Sequence, residues 1–380
     1  MRSPVRGGTH GSLVITTGQI VVKLNRRLAA LRGTSDVLAY PAGAVGNGRP
    51  ASDIIAVQST GREQRLLVGT PMTTLKVLDA IGNTPLVELR RVVPAGAARV
   101  VAKLESANPT GSMKDRMARA LIEHAAADGR LPPGGTVVEY TAGTTGISLA
   151  LVCAALGYKT HCVFSDAFSD EKRYTMRAYG AEITDVPSDN KGITEQLIRN
   201  MISTAGEISR QPGHWWCDQL NNRDGETGYH PLGEELWQQA GERVDAFVHA
   251  VSTAHSIHGT AHALRRRNPG VRVIAVEPAE SAVLSGKPSG SHKIEGIGIG
   301  FIPPLWKRDE VDEILTVTTE EAKAMARRLA QEEAIFAGPS TGANVVAALR
   351  VATRLGPTAT VATIIVDSGL RYLSTDVFRS

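Results

Sequence analysis

Hydrophobic positions along this chain fall into two alternating textures from about Thr74 onward. "TVVEYT" reads as a buried-strand run, and "YKTHCVFS" and "AEITDVP", with their β-branched residues, read as the next two strands. Between them lie longer segments with helical spacing. "ISLALVCAAL" stops at Gly157, and "SDEKRYTMRAYG" starts with Ser169 as N-cap, has acids in its first turn and ends at Gly180. The alternation returns later as the strands "DAFVHAVS", "VRVIAVEP" and "ATVATIIVDS", separated by the helical stretches "HGTAHALRRR" and "EEAKAMARRLAQEEA". Strands alternating with helices of this length make βαβ units and parallel sheets. Two such clusters, with irregular sequence between about 220 and 244, predict two doubly wound α/β lobes. Ligands in open parallel sheets collect beyond the carboxyl ends of the strands. That directs attention to three turns read as strand-to-helix connections, at 141–146, 252–256 and 338–342.

Another helix is predicted in "ANPTGSMKDRMARALIEHA", where Met117, Ala118, Leu121 and Ile122 recur on one face. Ser112 reads as its N-cap, and Asp115 three residues later completes a capping box. Lys114 then sits in the first turn, at the positive end of the helix dipole, where an ammonium is disfavoured. A solvated first-turn lysine is the plain explanation. The alternative is an imine-forming lysine, because a positive dipole end and desolvation both lower an amine's pKa and make it a better nucleophile toward an aldehyde. The turn "TAGTTG" (141–146) offers backbone N–H groups and a helix N-terminus to a carboxylate or phosphate. It is no dinucleotide fingerprint, since G-x-G-x-x-G is absent, and no P-loop motif occurs.

Composition narrows the classes. The chain has 380 residues, 42% hydrophobic and 21% charged, as in a globular protein of one large or two ordinary domains. No apolar run approaches membrane-spanning length, and "GSLVITTGQIVV" lacks the cleavage site of a signal peptide. A cytoplasmic protein is expected. Residues 1–70 hold nine Lys/Arg and three Asp/Glu, and the remainder holds 33 against 35. The main body therefore lacks the basic surface that would track nucleic acid. Residues 1–73, rich in Gly, Arg, Ala and Ser, are expected to form a partly disordered extension.

Cys153, Cys162 and Cys217 have no metal-finger spacing and read as buried free thiols. His255, His258 and His262 share one helix face, but no acidic residue or cysteine stands near them in sequence, so no metal site is expected. His249 in "FVHAVS" reads as a hydrogen-bonded core histidine.

Seven segments occurring in order are familiar together: "IGNTPLVEL" (81–89), "NPTGSMKDR" (108–116), "EYTAGTTGISLA" (139–150), "GAEITDVP" (180–187), "HKIEGIGIGFIPP" (292–304), "GPSTGAN" (338–344) and "DSGLRYLST" (367–375). Over residues 74–380 the chain resembles the cysteine synthase/cystathionine β-synthase family of fold-type II pyridoxal-phosphate enzymes, whose fold is like that of the tryptophan synthase β subunit. The resemblance implies a smaller lobe from 74–85 and 108–220, carrying the substrate-carboxylate loop. It implies a larger lobe from 86–107 and 221–380, carrying the cofactor phosphate loop.

Carried over by position, Lys114 matches the lysine that holds the cofactor aldehyde as an imine. Ser252, Thr253, Ala254, His255 and Ser256 match the phosphate loop, with Thr253 and Ser256 as hydroxyl donors. Ser340 matches the serine facing the pyridine nitrogen, and a neutral hydroxyl there moderates the electron sink in a way that suits β-elimination. Thr141, Ala142, Gly143, Thr145 and Gln219 match contacts to the substrate carboxylate, and Thr144 stands beside the cofactor's 3′-oxygen.

The implied reaction is β-replacement on O-acetyl- or O-phospho-L-serine with sulfide or thiosulfate, giving L-cysteine or S-sulfo-L-cysteine. A homodimer is implied, while docking of a serine acetyltransferase is left open. Three departures from the family pattern stand out. Thr144 replaces an Asn, Ala142 replaces a Ser, and the phosphate loop has no glycine, so any position there needing a positive φ is strained. The cofactor is still expected to bind through the helix N-terminus and two hydroxyls, with His255 adding positive charge near the phosphate. The S-sulfocysteine synthase branch is compatible with these departures. Cystathionine β-synthase or serine/threonine dehydratase activity is the alternative within the fold, and a catalytically weakened binding partner is the alternative outside it.

Overall fold

In the computed structural model the described residues are 76–189 and 193–379, together with the backbone of four short N-terminal strands. The chain divides into a unit of residues 1–74 and a unit of residues 75–380. In the first unit, β1 (Val14–Thr16) pairs antiparallel with β2 (Gln19–Val21), and β3 (Ile54–Ser59) pairs antiparallel with β4 (Arg62–Leu67). The expected order or disorder of the rest of that extension lies outside the described residues.

The second unit contains two sheets. One has four parallel strands: β7 (Thr136–Tyr140), β8 (Lys159–Ser165), β9 (Glu182–Val186) and β10 (His214–Trp216), in the order β10-β7-β8-β9. The other has six: β5 (Leu86–Leu89), β6 (Arg99–Leu104), β11 (Ala246–Ala250), β12 (Arg272–Pro278), β13 (Glu313–Val317) and β14 (Thr360–Ile365), in the order β13-β12-β11-β14-β6-β5. All its pairings are parallel except β5 with β6. This antiparallel edge is a small departure from the purely parallel lobe expected. Among the described residues only a four-residue 310 helix, Val77–Ala80, precedes it, too short for a crossover, and β5 reaches the sheet as an edge strand.

The helices follow the strand–helix alternation: α1 (Lys114–Ala127), α2 (Thr144–Leu156), α3 (Asp170–Ala178), α4 (Glu195–Ile208), α5 (Asp224–Thr227), α6 (His230–Gln239), α7 (His255–Arg267), α8 (Thr319–Glu332) and α9 (Pro339–Leu355). The stretch 220–244, expected to be irregular, holds α5 and α6. Pro231 at the start of α6 pre-sets its first turn, and Leu232 and Leu236 are buried. The segment 338–344, expected as a strand-to-helix turn, is instead the start of α9, with Gly338 as its N-cap and Pro339–Asn344 helical, and α8 rather than a strand precedes it.

Helix α1 buries Met117, Ala118, Leu121 and Ile122 completely, as its spacing predicts. Its start differs from the expected capping box. The N-cap is Met113, and Ser112 Oγ accepts only from Lys114 N at 3.2 Å. The Asp115 carboxylate does not reach back to the Ser112 backbone. It accepts from Thr110 N (2.8 Å), Thr110 Oγ1 (2.5 Å) and Ser148 Oγ (2.6 Å), tying α1 to α2.

A buried ion-pair network fixes the direction of α1. Arg116 donates to both oxygens of Glu105, at 2.7 and 2.9 Å, and to Glu235 at 2.8 Å, while Lys103 lies 2.7 Å from Glu235. Removing one member of such a network leaves an uncompensated buried charge, at a cost of about 3–5 kcal/mol. No described helix is long and apolar enough to cross a membrane.

Candidate active site

The carboxyl end of β14 runs into Asp367, against the start of α1. Met113 N donates to Val366 O at 3.0 Å, Ser368 N donates to Gly111 O at 2.9 Å, and Ser112 bridges Asp367. These contacts place Lys114, the first residue of α1, beside Asp367. Desolvation lowers the Lys114 pKa to about 8, and the Asp367 charge opposes that shift without cancelling it. A substantial fraction of its amine is therefore neutral and nucleophilic near neutral pH. The charge of Lys114 is also felt by His249 and His255, which brings β11 and the 252–256 turn into its neighbourhood.

Asp367 was not among the residues singled out in the sequence. It is buried, and its Oδ2 accepts from Tyr372 OH at 2.8 Å and, at a long 3.5 Å, from Thr144 Oγ1. Its Oδ1 has no partner among the described residues, and burial raises its pKa against the pull of Arg371 and Lys172. A buried polar atom left unpaired costs about 1–3 kcal/mol, which marks the spot as one shaped for something else. A Cβ on Gly338 would come within 2.3 Å of the Tyr372 ring and 2.7 Å of Asp367 Oδ1, so only glycine lets α9 approach this corner. Ser340, in the first turn of α9, is buried there.

The 141–146 turn is closed from within. Thr141 Oγ1 accepts from Gly143 N (2.9 Å) and Gly146 N (3.0 Å). Gly143 has φ +111° and caps α2, and a Cβ there would lie 2.5 Å from Lys172 Cδ. Thr145 Oγ1 donates to Gln219 Oε1 at 3.0 Å, and Gln219 Nε2 donates to Tyr140 O at 3.0 Å. Gln219 and Thr145 thus hold each other and the loop, while Ala142 and Thr144 remain partly open. Beneath Gln219, the buried Glu139 accepts its backbone N–H at 2.9 Å, and burial pushes the Glu139 carboxyl up to about 8. Lys172 runs under Gly143, pairs with Glu295, and lies 4.5 Å over the Tyr372 ring.

The 252–256 turn uses its side chains differently. Asn344 Nδ2 donates to His249 Nδ1 (3.2 Å), so His249 carries its proton on Nε2 and donates to Ser256 Oγ at 2.9 Å. The Ser256 hydroxyl proton is left free to be given elsewhere. His255 Nε2 donates to Asn222 O at 2.8 Å, so its Nδ1 accepts from Thr253 Oγ1 at 2.9 Å. Burial lowers the His255 pKa to about 4, so the imidazole is neutral and the expected positive charge is not there. Ala254 stands in the left-handed region at φ +74°, the position where a glycine would relax the turn. Ser252 is half-buried at its rim.

Thr141, Thr144, Thr145, Gln219, Thr253, His255 and Ser256 therefore all lie at strand or helix ends where they bond to this corner of the fold. The helix-face triad of His255, His258 and His262 does not converge. His255 turns to Asn222, while His258 and His262 face Glu310, and Glu226 also contacts His262. Acidic residues do stand beside them, contrary to the sequence-based expectation, because α5 and the 308–310 turn are brought in from far along the chain. The three cysteines are free and buried, as expected, and burial pushes Cys153 up to about 12.

Residues 77–367 match the family model described as "Pyridoxal-phosphate dependent enzyme". The chain belongs to that family. It is 41% identical over 304 residues to a cysteine synthase of Staphylococcus aureus, covering 80% of this chain and 96% of the relative. Among solved structures, a cysteine synthase of Entamoeba histolytica is 35% identical, with a TM-score of 0.75 over 83% of this chain and 94% of that one. An O-acetylserine dependent cystathionine β-synthase of Helicobacter pylori is also 35% identical, with a TM-score of 0.76 over 81% and 100%. The resemblance to the cysteine synthase/cystathionine β-synthase family and the fold-type II architecture are thereby shown.

Proposed function

We propose that this pyridoxal-phosphate dependent enzyme is a β-replacement enzyme that builds L-cysteine, or S-sulfo-L-cysteine, from an O-activated L-serine. Lys114 is the residue that carries the proposal: its amine is half deprotonated near pH 8 and lies beside a buried carboxylate with one unpaired oxygen. The surrounding groups fit pyridoxal phosphate. The N-terminus of α7 and the spare proton of Ser256 suit its phosphate, and the Ser340 hydroxyl suits its ring nitrogen without forcing protonation. When bound, the cofactor would supply the electron sink for loss of the Cα proton and the Cβ leaving group.

Lys114 would hold the cofactor covalently, then take and return the Cα proton as general base and acid. Gly143 N–H is turned toward Thr141, but the remaining free N–H groups at the start of α2 and the Thr144 hydroxyl are available to orient a substrate carboxylate. Lys172, paired with Glu295, fixes the loop from below. In this scheme residues 74–85 and 108–220 act as the smaller lobe and 86–107 and 221–380 as the larger. The exposed apolar side chains of Phe336, Leu370 and Leu373 supply surface for a homodimer.

The purified protein should be yellow, and borohydride reduction followed by peptide mapping should place the trapped cofactor on Lys114. Lys114→Ala should lose that adduct, with activity lowered by at least about 10³-fold. A colourless wild type, or an adduct mapped elsewhere, would overturn the proposal. O-acetyl-L-serine and O-phospho-L-serine, each offered with sulfide and with thiosulfate, resolve the substrates by product identification. Because an O-acetylserine dependent cystathionine β-synthase is among the similar structures, homocysteine is the further acceptor to include in the same assay.

A further inference from the structure

Away from Lys114, three helices bring metal-binding side chains to one point. Glu226 lies on α5, His230 opens α6, and His262 lies two turns into α7. One donor atom from each falls within 4.8 Å of the others, and all three residues are partly exposed. His262 Nδ1 is 2.6 Å from Glu226 Oε1, and its Nε2 is 2.8 Å from Glu310 Oε2. The His230 and His262 rings are 6.5 Å apart between centroids. We propose that Glu226, His230 and His262 form a zinc site, with Glu310 as the carboxylate that orients His262 from behind.

Two imidazole nitrogens and one carboxylate oxygen are a donor set suited to zinc, which takes such ligands at about 2.0–2.2 Å and leaves a fourth position for water. Donors within 4.8 Å of one another need only small side-chain rotations to close on an ion at that distance. The far nitrogen of a zinc-bound histidine commonly donates to a carboxylate, fixing the tautomer, and Glu310 stands at that position for His262. The His230 ring forms no hydrogen bond among the described residues. Lys307 now balances the acids, 3.2 Å from Glu310 and 3.7 Å from Glu226. It is on a half-exposed stem and can swing away when a cation enters.

The site has a structural consequence. His262 lies seven residues beyond His255, about 10 Å along α7, whose N-terminal turn is 252–256. An ion there would join α5, α6 and α7 and stiffen the helix that presents this turn. The inference uses residues outside the proposed catalytic set and stands whether or not that proposal holds.

The test uses the full chain with its cofactor, stripped with chelator and titrated with Zn²⁺ alone, with bound metal counted by elemental analysis and unfolding followed thermally. One zinc per chain and a thermal midpoint raised by several degrees are expected. Glu310→Gln should weaken zinc by about 10- to 100-fold, and His230→Ala or His262→Ala by more. Glu226→Gln and His230→Gln, at partly exposed positions, serve if a larger truncation fails to fold. Binding well below one ion per chain overturns the site. So does binding whose affinity is equal in wild type and all these variants.

Discussion

The two glycine-sensitive turns of this enzyme solve one geometric problem in opposite ways. Both follow a parallel strand and open a helix, and both need a residue at positive φ: Gly143 at +111° and Ala254 at +74°. Gly143 has no alternative, because the Lys172 stem fills the space a Cβ would take. Ala254 is conformationally strained, yet the turn keeps its shape because Ser256, His249 and Asn344 on one side, and Thr253, His255 and Asn222 on the other, over-determine it. A left-handed residue is thus demanded by the strand-to-helix path, and hydrogen bonding can enforce it where glycine is missing.

Four experiments break or sharpen this contrast. The largest effect is expected from Gly143→Ala, which combines overpacking against Lys172 with a positive φ and should destabilise by about 2–5 kcal/mol. A lowered thermal midpoint together with lost turnover checks it, and unchanged stability would refute the packing constraint.

Acid comes next. His249 and His255 are buried with pKa values lowered to about 3 and about 4, so the unfolded chain, near 6.5, binds protons that the fold refuses. Stability should therefore be constant above pH 6.5 as far as these two are concerned and fall as pH drops from 6.5 toward 4. His255 alone contributes on the order of 3 kcal/mol of that fall. The fall in thermal midpoint across that range should become shallower in His255→Asn, with the share due to His249 remaining.

Ser256→Ala should weaken cofactor retention by about 1.5–3 kcal/mol, the worth of a hydrogen bond to a charged group. It reads as faster loss of the visible band on dialysis. The smallest effect is Ala254→Gly, which should stabilise by about 0.5–1 kcal/mol as relieved strain slightly exceeds the added chain entropy. A destabilised Ala254→Gly would mean that the turn is unstrained.

Much of the scaffold could be read directly. The six expected strands all form, because each is a short segment rich in β-branched or aromatic residues and bounded by turn residues, even β9, which carries Glu182 and Asp185. Strand β6 escaped because Lys103 interrupts it. That lysine is fully buried, and its ion pair with Glu235, 132 positions along the chain, together with hydrogen bonds to Thr84 O and Gln239 Oε1, makes it compatible with an interior strand. Strand β10 is three residues long, too short for any period to register. Helices α5 and α6 were hidden by glycines and a proline, although Gly233 is needed against α7, where a Cβ would lie 2.6 Å from Ala263 Cβ and from Thr260 O.

Within the site, Lys114 was legible because an ammonium at a helix N-terminus violates a local rule. The turns at 141–146 and 252–256 were legible because Gly, Ser and Thr after a strand are locally distinctive. Asp367 and Lys172 carried no such signal. An aspartate after a strand and a lysine in an acidic first turn break no rule, and their roles arise from contacts with Tyr372, Lys114 and Glu295.

The amino-acid order by itself determined the alternation of strands and helices, the caps at Gly157 and Gly180, and the kinship that the seven ordered segments carry. These depend on periodicity and turn chemistry within a dozen residues. Only the tertiary structure decided that His255 is neutral, that Ser256 keeps a proton to give, and that Glu226 and His230 stand against His262. Proton affinity and hydrogen-bond partners depend on burial and on groups from distant parts of the chain, and no local window contains them.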